Sequence, residues 1–169
     1  MKCYHYCTKE FLQELIDKVV VYPKQTINYT DISNKIAEDY VKEYVFENKK
    51  LNKGNGMFFC WSHPDYKGDI EYNDNGDYIL LELSVPWQEA IKTNYENWCS
   101  LGMDLYEANG DYQLADKICK EEYGIKDGLE GSYQAIFDTS DERDEVQYLL
   151  PYINSKWILQ WYIVSNKYC

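Results

Sequence analysis

Two histidines stand beside cysteines, as Cys3-Tyr4-His5-Tyr6-Cys7 and Cys60-Trp61-Ser62-His63. Imidazole and thiolate together are the ligand set of structural zinc and the base and nucleophile of thiol enzymes. The spacing argues against zinc, because structural sites pair their ligands across turns, whereas ligands at alternate positions of one strand diverge along its length. The thiols then read as small buried hydrophobes, and no metal is expected. A nucleophilic pairing of Cys60 with His5 across adjacent strands is the other chemistry these types allow. No nucleophile elbow, Gly-rich oxyanion turn or family-specific cysteine signature accompanies it. The nine glycines include no Walker or dinucleotide fingerprint.

The carboxylates Asp141, Glu142, Asp144 and Glu145 flank Arg143, the single arginine of the chain, just ahead of Gln147. Such a charge run reads as a solvated loop. It also reads as an active-site or partner loop feeding a strand, because functional groups often sit on loops beside rigid elements. The 18 Tyr and 5 Trp suit cores and interfaces equally.

These residues need elements to hold them. Residues 2 to 7 alternate as a strand should, with Cys3, His5 and Cys7 on one face and Tyr4 and Tyr6 on the other. Thr8 then caps a helix whose Phe11, Leu12, Leu15, Ile16 and Val19 form a stripe, closed by a short strand before Tyr22-Pro23. Ile32, Ile36, Tyr40 and Tyr44 predict a second helix from Asp31 to Asn48. Lys49 to Gly56 reads as a loop, Met57 to Trp61 as a buried strand, and Pro64 to Gly76 as a hairpin loop. Tyr78 to Val85 is then the antiparallel neighbour of Phe58 to Trp61, stopped by Pro86. Trp87 to Leu101, Tyr112 to Tyr123 and Glu130 to Phe137 carry helical patterns, Thr139 to Glu145 is a charged loop, and Val146 to Leu150 and Trp157 to Val164 read as strands. The expected fold is α+β, a single domain over residues 1–169 with a small antiparallel or mixed sheet and four to five packed helices.

Composition narrows the function. The 169 residues carry 29 acidic against 17 basic side chains, a formal charge of -12. That field repels a phosphate backbone, so direct nucleic-acid binding is not expected, whereas a basic protein partner is attracted. No run approaches the roughly 20 apolar residues that span a bilayer, and Met1 to Tyr6 shows no leader pattern, so a cytoplasmic protein without membrane association is expected. The six scattered cysteines suit reduced thiols rather than a secreted disulfide framework.

Several stretches resemble a bacterial family known as domain of unknown function 3841. They are Phe-Cys-Trp at 59–61, Ile-Leu-Leu-Glu-Leu-Ser-Val-Pro at 79–86, Glu-Asn-Trp at 96–98, Ser-Tyr-Gln-Ala-Ile-Phe-Asp at 132–138, and Val-Gln-Tyr-Leu-Leu-Pro through Trp157-Ile158. That resemblance carries no activity. A second likeness is to compact ADP-ribosyltransferase-like folds of bacteria and phages. His5-Tyr6-Cys7-Thr8 resembles their opening strand, Gly56-Met57-Phe58-Phe59 their Gly-x-aromatic-aromatic strand, and Gln147 to Pro151 followed by Trp157 to Val164 their closing pair.

This second resemblance implies a protein that uses NAD as cofactor to modify a macromolecule, or a catalytically degenerate form of that fold. His5 would hydrogen-bond a ribose, Phe58 or Phe59 would stack on nicotinamide, and Gln147 would stand where those folds place a ribose-orienting carboxylate. Glutamine lacks the charge that stabilises the cationic ribose as nicotinamide leaves, so Glu145, two residues earlier, would substitute. No basic cluster for the pyrophosphate is present in the sequence. The rival expectation is a non-enzymatic acidic phage or prophage counter-defence protein, like anti-CRISPR proteins. It would block a basic, nucleic-acid-binding protein partner through a surface including Asp141, Glu142 and Asp144.

Overall fold

The computed structural model describes residues 1–23, 56–64, 78–140 and 145–164. The helix expected from Asp31 to Asn48, most of the two loops expected at 49–56 and 64–76, and the run Asp141 to Asp144 lie outside these residues. The architecture is α+β. Residue contacts group the chain into two compact units, each assembled from separated segments: 1–23, 53–91 and 148–169 in the first, 24–52 and 92–147 in the second.

The first unit opens with β1 (Lys2–Cys7) and α1 (Lys9–Lys18). Thr8 caps the helix as its side chain predicts, its Oγ1 accepting from the Phe11 N–H at 3.2 Å. Leu12 and Leu15 are buried, but Ile16 and Val19 stand exposed, so the apolar stripe is narrower than its sequence suggests. Val19 ends the helix at φ 67 and leads into β2 (Val20–Val21). The strands β3 (Phe58–Trp61) and β4 (Tyr78–Ser84) follow.

β3 and β4 are not neighbours, contrary to the hairpin expected from their order in the chain. β1 lies between them and pairs antiparallel with both, Tyr4 facing Trp61 on one side and Glu82 on the other. The physical reason lies in β4, whose residues Ile79 to Leu83 are all buried. A strand covered on both faces belongs in a sheet's interior, and the N-terminal strand supplies the missing partner. The six-stranded sheet runs β5-β6-β3-β1-β4-β8, with β5 at Ile91–Asn94, β6 at Val146–Leu150 and β8 at Ile158–Val164. β2 pairs separately with β7 (Ile153–Asn154).

A helix expected from Trp87 to Leu101 is replaced by a 3-10 turn at Trp87–Glu89, the strand β5, and α2 at Tyr95–Glu107. Ile91 and Thr93 are buried while Lys92 between them is exposed, the period of a strand. Asn94 marks the change. Its Oδ1 accepts from the Asn97 N–H at 3.0 Å, so the helix starts where its cap stands.

The second unit packs α2 with α3 (Tyr112–Glu121) and α4 (Gly128–Ala135). Asp111 caps α3 by accepting from Gln113 and Leu114. Four α-helices are thus present among the described residues, none of them long and apolar enough to cross a membrane.

Candidate functional site

β1 places Cys3, His5 and Cys7 on one face, opposite Leu83, Leu81 and Ile79 of β4. On that face His5 meets two aromatic edges. Its ring lies 5.4 Å from Phe58 and 5.6 Å from Phe11, and those two rings are 5.3 Å apart, all three steeply inclined to one another. The arrangement is the edge-to-face geometry that aromatic quadrupoles favour.

His5 Nδ1 lies 2.8 Å from the Phe59 carbonyl oxygen. A carbonyl can only accept, so Nδ1 carries the proton, and Nε2 of the neutral ring keeps its lone pair. Burial disfavours the charged imidazolium and pushes the His5 pKa down to about 4, against the opposing pull of that carbonyl. At neutral pH His5 is therefore an uncharged ring held in one tautomer, able to accept a hydrogen bond from a hydroxyl.

Neighbouring side chains in β3 alternate between faces. Phe58 therefore shares the face of His5, while Phe59 supplies its carbonyl to His5 and points its ring to the other face. Phe11 joins the cluster from α1, a contact that the helix stripe alone did not announce. The only hint was the position of Phe11, one turn beyond the cap and directly after the strand that carries His5.

The thiols around this face are not poised as nucleophiles. Cys3, Cys7 and Cys60 are buried and free. Burial pushes the Cys7 thiol up to about 12 and holds Cys60 well above its ordinary range, reinforced by Cys3 and Cys7 beside it. The protonated thiols of Cys7 and Cys60 are inert at neutral pH. Among the described residues no group of three His, Cys, Asp or Glu side chains is placed to hold a metal ion.

The remaining candidates belong to the second unit. Gln147 lies within β6, an interior strand rather than a sheet edge, and is 1% exposed. Its backbone oxygen accepts from Thr93 Oγ1 at 3.2 Å, and its side-chain oxygen lies 3.5 Å from the same hydroxyl. Glu145 is exposed immediately ahead of β6, with its carbonyl accepting from the Tyr95 N–H at 2.9 Å. Asp141, Glu142 and Asp144 lie outside the described residues.

Sequence reasoning passed over a buried polar cluster in the same unit. Asp104 Oδ2 accepts from Cys119 Sγ at 3.4 Å and from Ser132 Oγ at 3.3 Å, joining α2, α3 and α4. Burial raises the Asp104 pKa and the two donors oppose that rise. The signal was available: Asp104 falls on the apolar stripe Trp98, Leu101, Leu105, where a carboxylate needs donors around it.

Comparison of the chain with known families, curated proteins and solved structures finds no match.

Proposed function

We propose that the chain is an ADP-ribosyltransferase-like protein that takes the nicotinamide–ribose half of NAD at the face formed by His5 and Phe58. The observation that carries this reading is the His5 tautomer. With Nδ1 committed to the Phe59 carbonyl, Nε2 offers a lone pair to a ribose hydroxyl, in surroundings dry enough to keep the ring neutral. The resemblance in the sequence asks for a hydroxyl acceptor at this position, and the chemistry of His5 fits it.

Phe58 is the aromatic residue on the same face, which favours it over Phe59 as a contact for the nicotinamide ring. Gln147 is buried and engaged with Thr93; the charge that transfer needs is what the sequence resemblance assigns to Glu145. When bound, NAD would supply the ADP-ribosyl group. The protein's part is to accept a ribose hydroxyl at His5 Nε2 and to exclude water from the aromatic face.

The test is NAD binding followed by nicotinamide release. Millimolar NAD is expected to raise the melting temperature of the wild-type protein, and His5→Ala to abolish the rise while the variant remains folded. Glu145→Gln is expected to keep the rise and lose nicotinamide release. No shift and no release with the wild-type protein would sink the reading.

A second reading, an acidic inhibitor of a basic nucleic-acid-binding protein, is favoured by the formal charge of -12. It predicts association that weakens steeply with salt and on neutralising Glu142, Asp144 and Glu145 together. Indifference to both would remove the electrostatic mechanism.

A further inference from the structure

Three aromatic rings meet on one face of β1, and they close on one another. His5 and Phe58 are 5.4 Å apart, Phe11 stands 5.6 Å from the first and 5.3 Å from the second, and the planes are inclined by 65° to 69°. A planar ring stacked between two others needs about 7 Å between their planes, twice the van der Waals separation of carbon atoms. No pair in this triangle leaves that gap. The side of Phe58 that faces His5 is already taken, and the ring that takes it is Phe11.

Phe11 is also the member of the triangle least tied to the fold. His5 and Phe58 project from paired strands inside the sheet, and His5 Nδ1 is fixed by the Phe59 carbonyl. α1 is anchored by Leu12 and Leu15, 8% and 0% exposed, by the Thr8 cap, and by the Ser155 N–H that donates to the Val19 carbonyl. Phe11 is half-buried at the margin of that stripe, next to the exposed Lys9 and Glu10. Its side chain can turn outward without any movement of the helix. A ligand ring that takes its place recovers the edge-to-face contacts with His5 and Phe58.

We propose that Phe11 is a side-chain gate: its ring holds the place that the nicotinamide ring takes, and swings out to admit it. This rests on the NAD reading above and adds to it the regulation of that site. Charge supplies the drive for the exchange. The pyridinium of NAD is a cation and the phenyl ring that it displaces is not, so the aromatic faces around it attract the newcomer more strongly. The gate has a cost in affinity, because only the fraction of molecules with the ring turned out can bind, and the apparent dissociation constant is the intrinsic one divided by that fraction.

The experiment is NAD titration by calorimetry of the full chain, wild type beside Phe11→Ala and Phe11→Leu, with circular dichroism to show which variants are folded. The leucine keeps an apolar cover over α1 should the alanine unfold. Removing the gate is expected to tighten NAD binding by about tenfold. Free nicotinamide at millimolar concentration is expected to raise the melting temperature of the ring-less variants more than that of the wild type. If the wild type binds NAD and the folded variants bind it no more tightly, the gate is overturned and the NAD reading stands. A wild-type protein silent toward NAD removes the reading and the gate with it.

Discussion

His5 Nδ1 donates to the Phe59 carbonyl at 2.8 Å while its ring abuts Phe11 and Phe58. Burial holds the His5 pKa at about 4, against 6.5 in the open chain. Between those two values the unfolded chain binds a proton that the folded chain does not, so stability falls as pH drops through the window and levels off below it. The loss is on the order of 3 kcal/mol. Urea unfolding at a series of pH values should show this slope, and His5→Phe should flatten it while leaving the contribution of the carboxylates in place. An imidazole that titrates by NMR near its ordinary value would refute the account of burial, and with it the fixed neutral ring.

Asp104 has the opposite sign. Burial holds its carboxyl above the usual range, so the folded chain binds the proton more readily and stability rises as pH falls through that range. Asp104→Asn keeps an acceptor for Cys119 and Ser132 and removes the buried charge. It should leave the melting temperature at neutral pH unchanged or raise it. Asp104→Ala strands both donors and should cost about 1 to 3 kcal/mol. Equal damage from the two substitutions would mean that the charge itself is required.

Local signals in this sequence carried further than long-range ones. Thr8 and the alternation of residues 2 to 7 gave the first strand and helix correctly, because a cap and a two-residue period are written in adjacent residues. Pairing was harder to read. β1 enters between β3 and β4 across more than fifty residues, and only the double-sided burial of β4 betrays the need for it. The helical period running through Trp87, Ile91 and Tyr95 misled because Asn94, a cap, sits inside it. The face of His5 and Phe58 was legible as two separate motifs. That Phe11 completes it, and that Phe59 contributes a carbonyl rather than a ring on that face, depends on backbone geometry which residue types do not encode.

Val19 closes α1 at φ 67 and ψ -40, a strained positive-φ conformation of the γ-turn kind that a β-branched side chain rarely adopts. Its backbone is held there from both sides: its N–H donates to the Leu15 carbonyl and its own carbonyl accepts from Ser155. The side chain is exposed, so little packing is lost by removing it. Val19→Gly should therefore stabilise the protein by about 1 kcal/mol, the strain of this backbone conformation less the entropy that a glycine adds to the unfolded chain. Thermal or urea unfolding measures it, and a destabilised variant would show that the Val19 side chain contributes more than its conformation costs.

Gly128 opens α4 at φ +60, and here glycine is required twice over. A Cβ at this position would sit 2.0 Å from Asp116 Oδ1 and 2.7 Å from Lys120 Cε. Asp116 cannot simply swing away, because the same oxygen accepts from the Leu129 N–H at 3.1 Å and the carboxylate also pairs with Lys120 at 2.7 Å. Gly128→Ala would thus combine backbone strain with the loss of the bond that ties the start of α4 to α3, and should destabilise by about 1 to 3 kcal/mol. The double variant Gly128→Ala, Asp116→Ala separates the two effects. Relief of the clash should recover part of the loss, and the remainder should match the cost of a left-handed alanine plus the missing acceptor for Leu129. Unfolding midpoints for the two single variants and the double variant close the cycle, and strict additivity would refute the contact.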